Sequence, residues 1–323
     1  MNDNIDIVSH KHQLAIVIPA YKANYLSETL SSIANQTDKR FCVYIGDDCS
    51  SEDIGSIVTR YKGKFDYVYK RFETNLGGKD LVAQWERCIG MTKDEEWIWL
   101  FSDDDNMDEK CVEGFYRELE KNEDQELLRF NINVINSLGI IQSECLFPAL
   151  VSSTYLFKNK LLGRINLFAV EYVFSRAVYV RTGGFQNFDL AWGSDTATWM
   201  KFGEKGIRTI PASRVQWRKS DENITGRRET KEGSLRKFRA FCIFLLWSYD
   251  FWKERHKNYQ LFIDFIFIRG LHDIANDIPY TECIKASDSY LPKNGFRRVL
   301  LISLFRIYHF VGEIKSKISN LLR

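Results

Sequence analysis

Carboxylates are concentrated at one point of this sequence where they could hold a cation. Asp103, Asp104 and Asp105 stand side by side in WIWLFSDDDNMDEK, and no basic residue follows them until Lys110. Adjacent like charges repel, so the run costs stability unless a positive group lies among them. Because Mg²⁺ and Mn²⁺ prefer oxygen ligands, the run is a candidate metal site. The alternative is a solvated turn or an acidic helix N-cap.

Alternating strands and helices determine where these carboxylates lie. Amphipathic helical segments such as 24–36 and 81–89 separate short apolar runs that predict strands at 14–18, 41–48, 67–72, 97–101 and 127–135. This alternation predicts an α/β fold with a mainly parallel sheet flanked by helices. Ligands of such sheets bind beyond the carboxyl ends of the strands. Three groups are therefore expected at one edge: Pro19-Ala20-Tyr21, Asp47-Asp48 and the aspartate run.

The rest of the chain follows a looser pattern. We predict a helix over 111–128, a turn at Gly183-Gly184 and a helix around Trp199 and Phe202. From about residue 228 onward the sequence predicts a helical C-terminal extension. We therefore expect a catalytic domain over 1–227 and a helical extension over 228–323.

Composition excludes several classes of protein. The 45 basic and 43 acidic residues give a net charge of +2, which does not suit a nucleic-acid-binding surface. Seven scattered cysteines without CxxC spacing argue against zinc and disulfide frameworks and for a reducing compartment. The polar N-terminus is unlike a signal peptide, and no apolar run reaches the length of a spanning helix. We therefore expect a cytoplasmic protein. The turn PAYKAN lacks the GxGxxG of dinucleotide-binding proteins.

Taken together and in order, the motifs resemble those of the family 2 glycosyltransferases with the GT-A fold. The resemblance covers roughly residues 12 to 225, and its motifs are IVIPAYKANYLSETLSSIANQT, FCVYIGDDCSSED, NLGG, WLFSDDD, GGF and WGSD. It implies an inverting transferase that uses Mn²⁺ or Mg²⁺ to move a sugar from a nucleotide diphosphate donor to an acceptor hydroxyl. A role in bacterial surface polysaccharide or lipid-linked oligosaccharide synthesis would fit.

The resemblance also implies roles for individual residues at the donor site. The usual Asp-any-Asp element reads SDDD here, which maps the metal ligand to Asp104 and places Asp103 and Asp105 next to ribose or acceptor. Asp48 matches the residue that accepts a hydrogen bond from uracil, which favours a uridine diphosphate donor; a strand-end turn is the alternative. Pro19, Ala20 and Tyr21 match positions near the base. Arg71 would reach base or diphosphate unless it is a surface arginine, and Asn75 with Gly77-Gly78 would close over the donor unless it forms a plain turn.

The predicted catalytic residue is Asp195. The family places its general base in a Glu-Asp pair after GGF, and here Ser194 replaces the glutamate while Asp195 remains. A positioned carboxylate can deprotonate the attacking hydroxyl, whereas the alternative is a capping residue of the following helix. Arg218, in the stretch 215–225 that resembles a basic loop, would grip the leaving diphosphate.

Two questions stay open from the sequence. The basic, apolar segment 296–323 would either lie on the inner face of an anionic membrane or pack on the catalytic domain, and for 235–252 packing is favoured. The alternatives to a transferase are a sugar nucleotidyltransferase and a degenerate domain that only binds nucleotide sugars or acts as a scaffold. A nucleotidyltransferase would be expected to carry a Gly-rich basic loop after the first strand, unlike PAYKAN.

Overall fold

The computed structural model describes residues 13–122, 124–220, 230–253, 259–274 and 278–321. The chain forms two compact units. The first consists of Met1–Phe185 with Thr198–Ser220, and the second of Gln186–Ala197 with Asp221–Arg323. The division predicted between residues 227 and 228 lies outside the described residues, so it stays a prediction.

The first unit is built on a single ten-stranded sheet. Its strands are β1 (Leu14–Ala20), β2 (Phe41–Asp47), β3 (Asp66–Arg71), β4 (Trp97–Leu100), β5 (Asn106–Met107), β6 (Leu127–Ile135), β7 (Ile141–Cys145), β8 (Leu150–Val151), β9 (Tyr172–Ser175) and β10 (Ile207–Arg218). Its helices are α1 (Leu26–Ala34), α2 (Ile54–Thr59), α3 (Leu81–Ile89), α4 (Cys111–Lys121), α5 (Ser153–Leu161) and α6 (Arg176–Thr182).

The strand order is β3-β2-β1-β4-β9-β6-β10-β5, with β7 beside β6 and β8 beside β10. Strands β3, β2, β1 and β4 are parallel to one another, and so are β6 and β10. Strand β9 runs antiparallel to both of its neighbours, β4 and β6. β1, β2 and β4 are almost entirely buried, as expected for strands covered on both faces. The predicted α/β class with a largely parallel sheet is confirmed.

Two local predictions differ from the structure, and strand β9 was not predicted. Helix α4 ends at Lys121 rather than at 128, because the buried strand β6 has already begun at residue 127. The predicted basic loop at 215–225 is wrong in its first part: residues 215–218 belong to β10, where they pair with β6, and residues 221–225 lie outside the described part. Strand β9 was not predicted, because it runs directly into helix α6 and its place in the sheet depends on β4 and β6.

From residue 231 onward the described residues of the second unit are mostly helical. This unit contains α8 (Lys231–Trp252), α9 (Tyr259–Ile274), α10 (Tyr280–Ala286) and α11 (Phe296–Leu321), while α7 (Ser194–Phe202) spans the boundary between the units. Aromatic contacts join its helices: the Phe267 ring lies 6.3 Å from that of Phe238 on α8 and 5.3 Å from that of Phe305 on α11. Among the described helices, none has the length and apolar character needed to cross a membrane.

Candidate active site

Three parallel strands bring the predicted donor residues to one edge of the first unit. Ala20 on β1 lies beside Asp47 on β2, and Val17 lies beside Leu100 on β4. The amide of Asp48 donates to the carbonyl of Ala20 at 2.9 Å, which fixes the ends of β1 and β2 together. The grouping expected from parallel strand ends is therefore present.

The three adjacent aspartates have different partners. Asp103 Oδ2 accepts hydrogen bonds from the amides of Tyr21 and Lys22, at 2.8 and 2.9 Å. Asp105 Oδ1 accepts one from the amide of Arg218 at 2.7 Å. Backbone donors hold both carboxylates, so each fastens the aspartate turn to another part of the sheet.

Asp104 differs from its two neighbours because its carboxylate faces side chains. Its Oδ1 accepts from the Ser102 hydroxyl at 2.5 Å, and its Oδ2 lies 3.8 Å from Nζ of Lys22. The run does not cap the following helix: strand β5 intervenes, and the cap position of α4 is Lys110, which makes no side-chain capping bond. The N-cap alternative considered for the sequence is therefore excluded.

The aspartate turn is a place where negative charge is disfavoured. Burial raises the pKa of Asp103 to about 6, with a further contribution from the neighbouring charge of Asp104. Burial, and again Asp104, raise the pKa of Asp105 well above its ordinary value. A cation bound at this turn would offset both effects.

The side chains at the aspartate turn fit a divalent ion that is held jointly with substrate phosphates, and they do not fit one that is held by protein ligands alone. In the described part of the chain, His, Cys, Asp and Glu side chains nowhere form a group of three or more able to hold a metal. A site made only of protein ligands is therefore not present there. Mg²⁺, however, is commonly held by one or two carboxylates together with substrate phosphates and water. Asp104, the member of the run whose oxygens are not held by backbone amides, fits that arrangement.

Arg218 occupies a different position from the one expected of a diphosphate ligand. Its side chain is fully buried at the end of β10. Nε donates to the carbonyl of Asp104 at 2.9 Å, and Nη2 donates to Glu28 at 2.6 Å. Nη1 lies 3.3 and 3.2 Å from the carbonyls of Asn136 and Ser137. All three nitrogens thus bind protein acceptors, and the guanidinium holds the aspartate turn from within the fold.

Asp48 connects the end of β2 to the loop before α3. Its Oδ1 accepts from the amide of Leu76 at 2.7 Å and its Oδ2 from that of Gly77 at 2.8 Å. Arg87 on α3 also donates to Oδ1, at 2.5 Å. The Asp48 carboxylate therefore bonds to a distant loop, and it does not form the strand-end turn that was the alternative. In the same loop Asn75 accepts from the amide of Gly78 at 2.7 Å, as in the plain-turn interpretation.

Asp47 and Arg71 brace the turn that follows β2. Asp47 is fully buried and accepts from the Ser50 amide at 2.8 Å, from the Tyr69 hydroxyl at 2.8 Å and from Arg71 at 2.7 Å. Arg71 also donates to the carbonyl of Ser50 at 2.7 Å. Its guanidinium is half-exposed, so it lies at the surface of this turn.

The three residues predicted to lie near the base differ in accessibility. Pro19 is half-buried within β1, and Ala20 is fully buried. The Tyr21 side chain is 45% exposed, directly after the strand. Of the three side chains, that of Tyr21 is the most open to a ligand.

Asp195 lies in the second unit, in the first turn of α7. Its Oδ1 accepts from the amide of Thr196 at 2.6 Å. The chain enters α7 through a strained turn, with positive φ at Leu190 and Ala191. The Ser194 hydroxyl, in place of the family's glutamate, accepts from the amide of Phe188 at 2.9 Å and so holds this turn. Nζ of Lys237 lies 5.0 Å from the centre of the Trp192 ring.

Sequence reasoning missed two residues of this site. Lys22 follows Tyr21 in PAYKAN, and its position one residue past a predicted ligand was the available signal. Arg87 gave no such signal, because 39 positions separate it from Asp48 and only the packing of α3 brings them together.

Comparison with known proteins finds a family match over part of the chain. Residues 15–148 match the family model described as Glycosyl transferase family 2. The Staphylococcus aureus poly(ribitol-phosphate) beta-N-acetylglucosaminyltransferase TarS is 27% identical over 135 residues, which are 41% of this chain and 23% of TarS. An uncharacterized glycosyltransferase of Haemophilus influenzae is 35% identical over 102 residues, 30% of this chain and 32% of that protein. The match thus spans less than a quarter of the length of TarS.

Solved structures agree on the fold. The crystal structure of S. aureus TarS 1-349 in complex with UDP-GlcNAc has a TM-score of 0.59 and 17% identity, and the match covers 92% of this chain and 90% of that one. The mannosyltransferase PcManGT from Pyrobaculum calidifontis, in complex with GDP-Man and Mn²⁺, has a TM-score of 0.50 and 12% identity, with 95% and 87% covered. The fold is therefore GT-A, as the sequence motifs implied.

Proposed function

From the glycosyltransferase family 2 domain in residues 15–148 we propose that this protein is an inverting glycosyltransferase. It moves a sugar from a uridine diphosphate donor to an acceptor hydroxyl. The acceptor is a carbohydrate or a lipid-linked sugar in the synthesis of bacterial surface polysaccharide. The proposed location is the cytoplasm, at the inner face of the membrane. The similarity to TarS, whose structure was solved with UDP-GlcNAc, supports a nucleotide sugar donor.

The different partners of the three adjacent aspartates support this proposal most directly. Of three adjacent aspartates, two are fastened by backbone amides and the third, Asp104, presents its carboxylate next to the Lys22 ammonium. The turn is thereby fixed, which supports the proposal that the Asp104 carboxylate binds a cation. A merely solvated acidic turn would not need its members buried and bonded in this way.

Each residue of the proposed active site has a separate role. Asp104 would hold Mg²⁺ or Mn²⁺, which when bound supplies positive charge to the departing diphosphate. Asp48 orients the loop that contains Leu76 and Gly77, and we propose that this loop and the Tyr21 ring border the base. Arg218 keeps the aspartate turn in place. We propose that Asp195 accepts the proton of the acceptor hydroxyl as this oxygen attacks the anomeric carbon.

A direct test measures release of nucleotide diphosphate. The protein is incubated with Mn²⁺, a set of nucleotide sugars and short saccharide acceptors, and free UDP and GDP are quantified. We expect UDP release that requires the metal and is lost in Asp104→Asn. The matched control is Glu120→Gln, an exposed carboxylate on α4, which should retain full turnover. Metal-dependent binding of UDP-sugars without turnover would instead indicate a degenerate binding domain.

A further inference from the structure

Helix α11 carries a second apolar face in addition to the one by which it is anchored. Leu301 and Phe305 are buried, and the Phe305 ring stacks on that of Phe267 of α9. The opposite face is exposed and consists of large apolar side chains: Phe296, Val299, Leu300, Leu304, Ile307 and Phe310. Four of these six are more than 60% exposed. Isolated exposed apolar residues are ordinary, but a continuous stripe marks an interaction surface.

The spacing makes this stripe continuous. At 3.6 residues per turn the six positions fall within an arc of about 140° on the helix, over roughly four turns. Arg297 and Arg306 fall at the two borders of this arc. Arg306 is exposed, and Arg297 is held by Asp264 with 2.7 Å between Nη2 and Oδ1. An apolar face bordered by arginines is the pattern of a helix that lies in a membrane interface.

Charge selects among the partners that this face could bind. Between Phe296 and Leu321 the sequence contains five cations and a single acidic residue, Glu313: the cations are Arg297, Arg298, Arg306, Lys315 and Lys317. A second copy of the chain docked through this helix would bring two such sets of cations together, and like charges across an interface oppose association. Arg297 and Arg298 are paired with Asp264 and Asp288, and the surface of an anionic bilayer attracts the other cations.

We propose that the exposed face of α11 binds the surface of an anionic lipid bilayer. The six apolar side chains enter the boundary between headgroups and acyl chains, and the exposed Arg306 at one border contacts lipid phosphates. The helix is already folded and fixed to α9, so binding does not bear the cost of ordering it. This inference does not depend on the glycosyl transfer proposed above, and either can fail without the other.

Vesicle co-sedimentation tests the proposal with the full chain. One set of vesicles contains equal amounts of phosphatidylglycerol and phosphatidylcholine, and the other contains phosphatidylcholine alone. We expect binding to the anionic set that weakens with added salt, and much weaker binding to the neutral set. The double variant Ile307→Gln with Phe310→Gln should lower the partition coefficient at least about tenfold. Arg306→Gln should lower it about fivefold on anionic vesicles.

The control is Leu138→Gln, the same kind of change at an exposed residue of the first unit, which should bind as the unchanged protein does. Circular dichroism verifies the fold of each variant, and Val299→Gln repeats the comparison if the double variant does not fold. Absence of binding to anionic vesicles overturns the proposal. Equal loss in Leu138→Gln also overturns it. Concentration-dependent dimers that the α11 variants abolish, without vesicle binding, would show that the partner is a second copy instead.

Discussion

The Arg218 guanidinium donates from Nε to the main-chain carbonyl of Asp104, with 2.9 Å between the two atoms. The amide of the same residue donates to the carboxylate of Asp105. One arginine at the end of β10 therefore fixes two residues of the aspartate turn, although it lies 114 positions from Asp104 in the sequence. The link makes the geometry of the candidate metal ligand depend on a buried charge.

Replacement of that charge should destabilise the fold. In Arg218→Gln the buried Asp104 and the half-buried Asn136 each lose a donor to their carbonyl, and we expect the free energy of unfolding to fall by about 3 kcal/mol. Urea denaturation measures it. Arg40→Gln removes an exposed ion pair with Asp38 and should cost less than about 1 kcal/mol. Unchanged stability in Arg218→Gln, together with weaker UDP binding, would favour the diphosphate role predicted from the sequence.

Lys22 should compete with a metal ion for Asp104. Its ammonium lies 3.8 Å from Asp104 Oδ2 on a partly exposed side chain, and one cation repels another at this distance. We expect Lys22→Met to bind Mn²⁺ about fivefold more tightly in the absence of nucleotide, as measured by calorimetry. Lys64→Met, at an exposed position before β3, is the control and should leave the affinity unchanged. If Lys22→Met instead weakens UDP binding in EDTA, Lys22 is a phosphate ligand.

The donor base should be uracil. Asp48 anchors the loop at Leu76 and Gly77, and we expect calorimetry to show UDP bound at least about tenfold more tightly than GDP in Mn²⁺. Asp48→Asn should reduce this preference, because an amide nitrogen replaces one of the acceptor oxygens. Asp53→Asn, at the exposed cap of α2, should not. Equal affinities for UDP and GDP in the unchanged protein would contradict the assignment.

Replacement of Asp195 should slow turnover without changing the affinity for the donor nucleotide. A general base contacts the acceptor and not the nucleotide, so Asp195→Asn should lower turnover by about 10²–10⁴ while UDP affinity stays the same. Asparagine keeps the shape and one accepting oxygen but cannot take the proton. Asp189→Asn, at a carboxylate of the same segment that pairs with Arg236, is the matched control. If turnover in Asp195→Asn stays within a few-fold of normal, Asp195 is not the general base and is only a residue at the start of a helix.

A buried ion pair in the first unit should make stability depend on pH. Glu171 and Arg129 are both fully buried, with 2.8 Å between Oε1 and Nη2, and burial raises the pKa of Glu171 from 4.5 to about 7. Over this interval the folded state keeps a proton that the unfolded chain releases. The stabilising contribution of the protonated group is therefore complete below pH 4.5 and is lost as the pH rises to about 7.

The measurement compares the unchanged protein with Glu171→Gln, which cannot titrate. The unchanged protein should exceed this variant in free energy of unfolding by an amount that shrinks as the pH rises from 4.5 to about 7. The same comparison with Glu113→Gln on α4, whose carboxylate is partly exposed, should show no such trend. An advantage that grows with pH would mean that attraction to Arg129 outweighs the cost of burial.

Local patterns in the sequence were enough to predict the framework of the first unit. Buried strands such as β1, β2 and β4 are short apolar runs, and their alternation with helical periods predicted a mostly parallel sheet with its polar groups at one edge. These features are local, because the period of apolar residues depends only on the conformation of the segment that contains them. The antiparallel strand β9 was beyond this reasoning, since its place in the sheet depends on β4 and β6.

The partners of each polar residue at that edge depend on how distant segments of the chain pack together. The three aspartates look alike in sequence, but Asp103 is held by Tyr21 and Lys22, and Asp105 by Arg218, from segments about 80 to 110 positions away. The same holds for Arg218, which the sequence suggested as a diphosphate ligand and the fold surrounds with carbonyls. A buried polar group must find hydrogen-bond partners, and those partners come from wherever the chain returns, which no local pattern records.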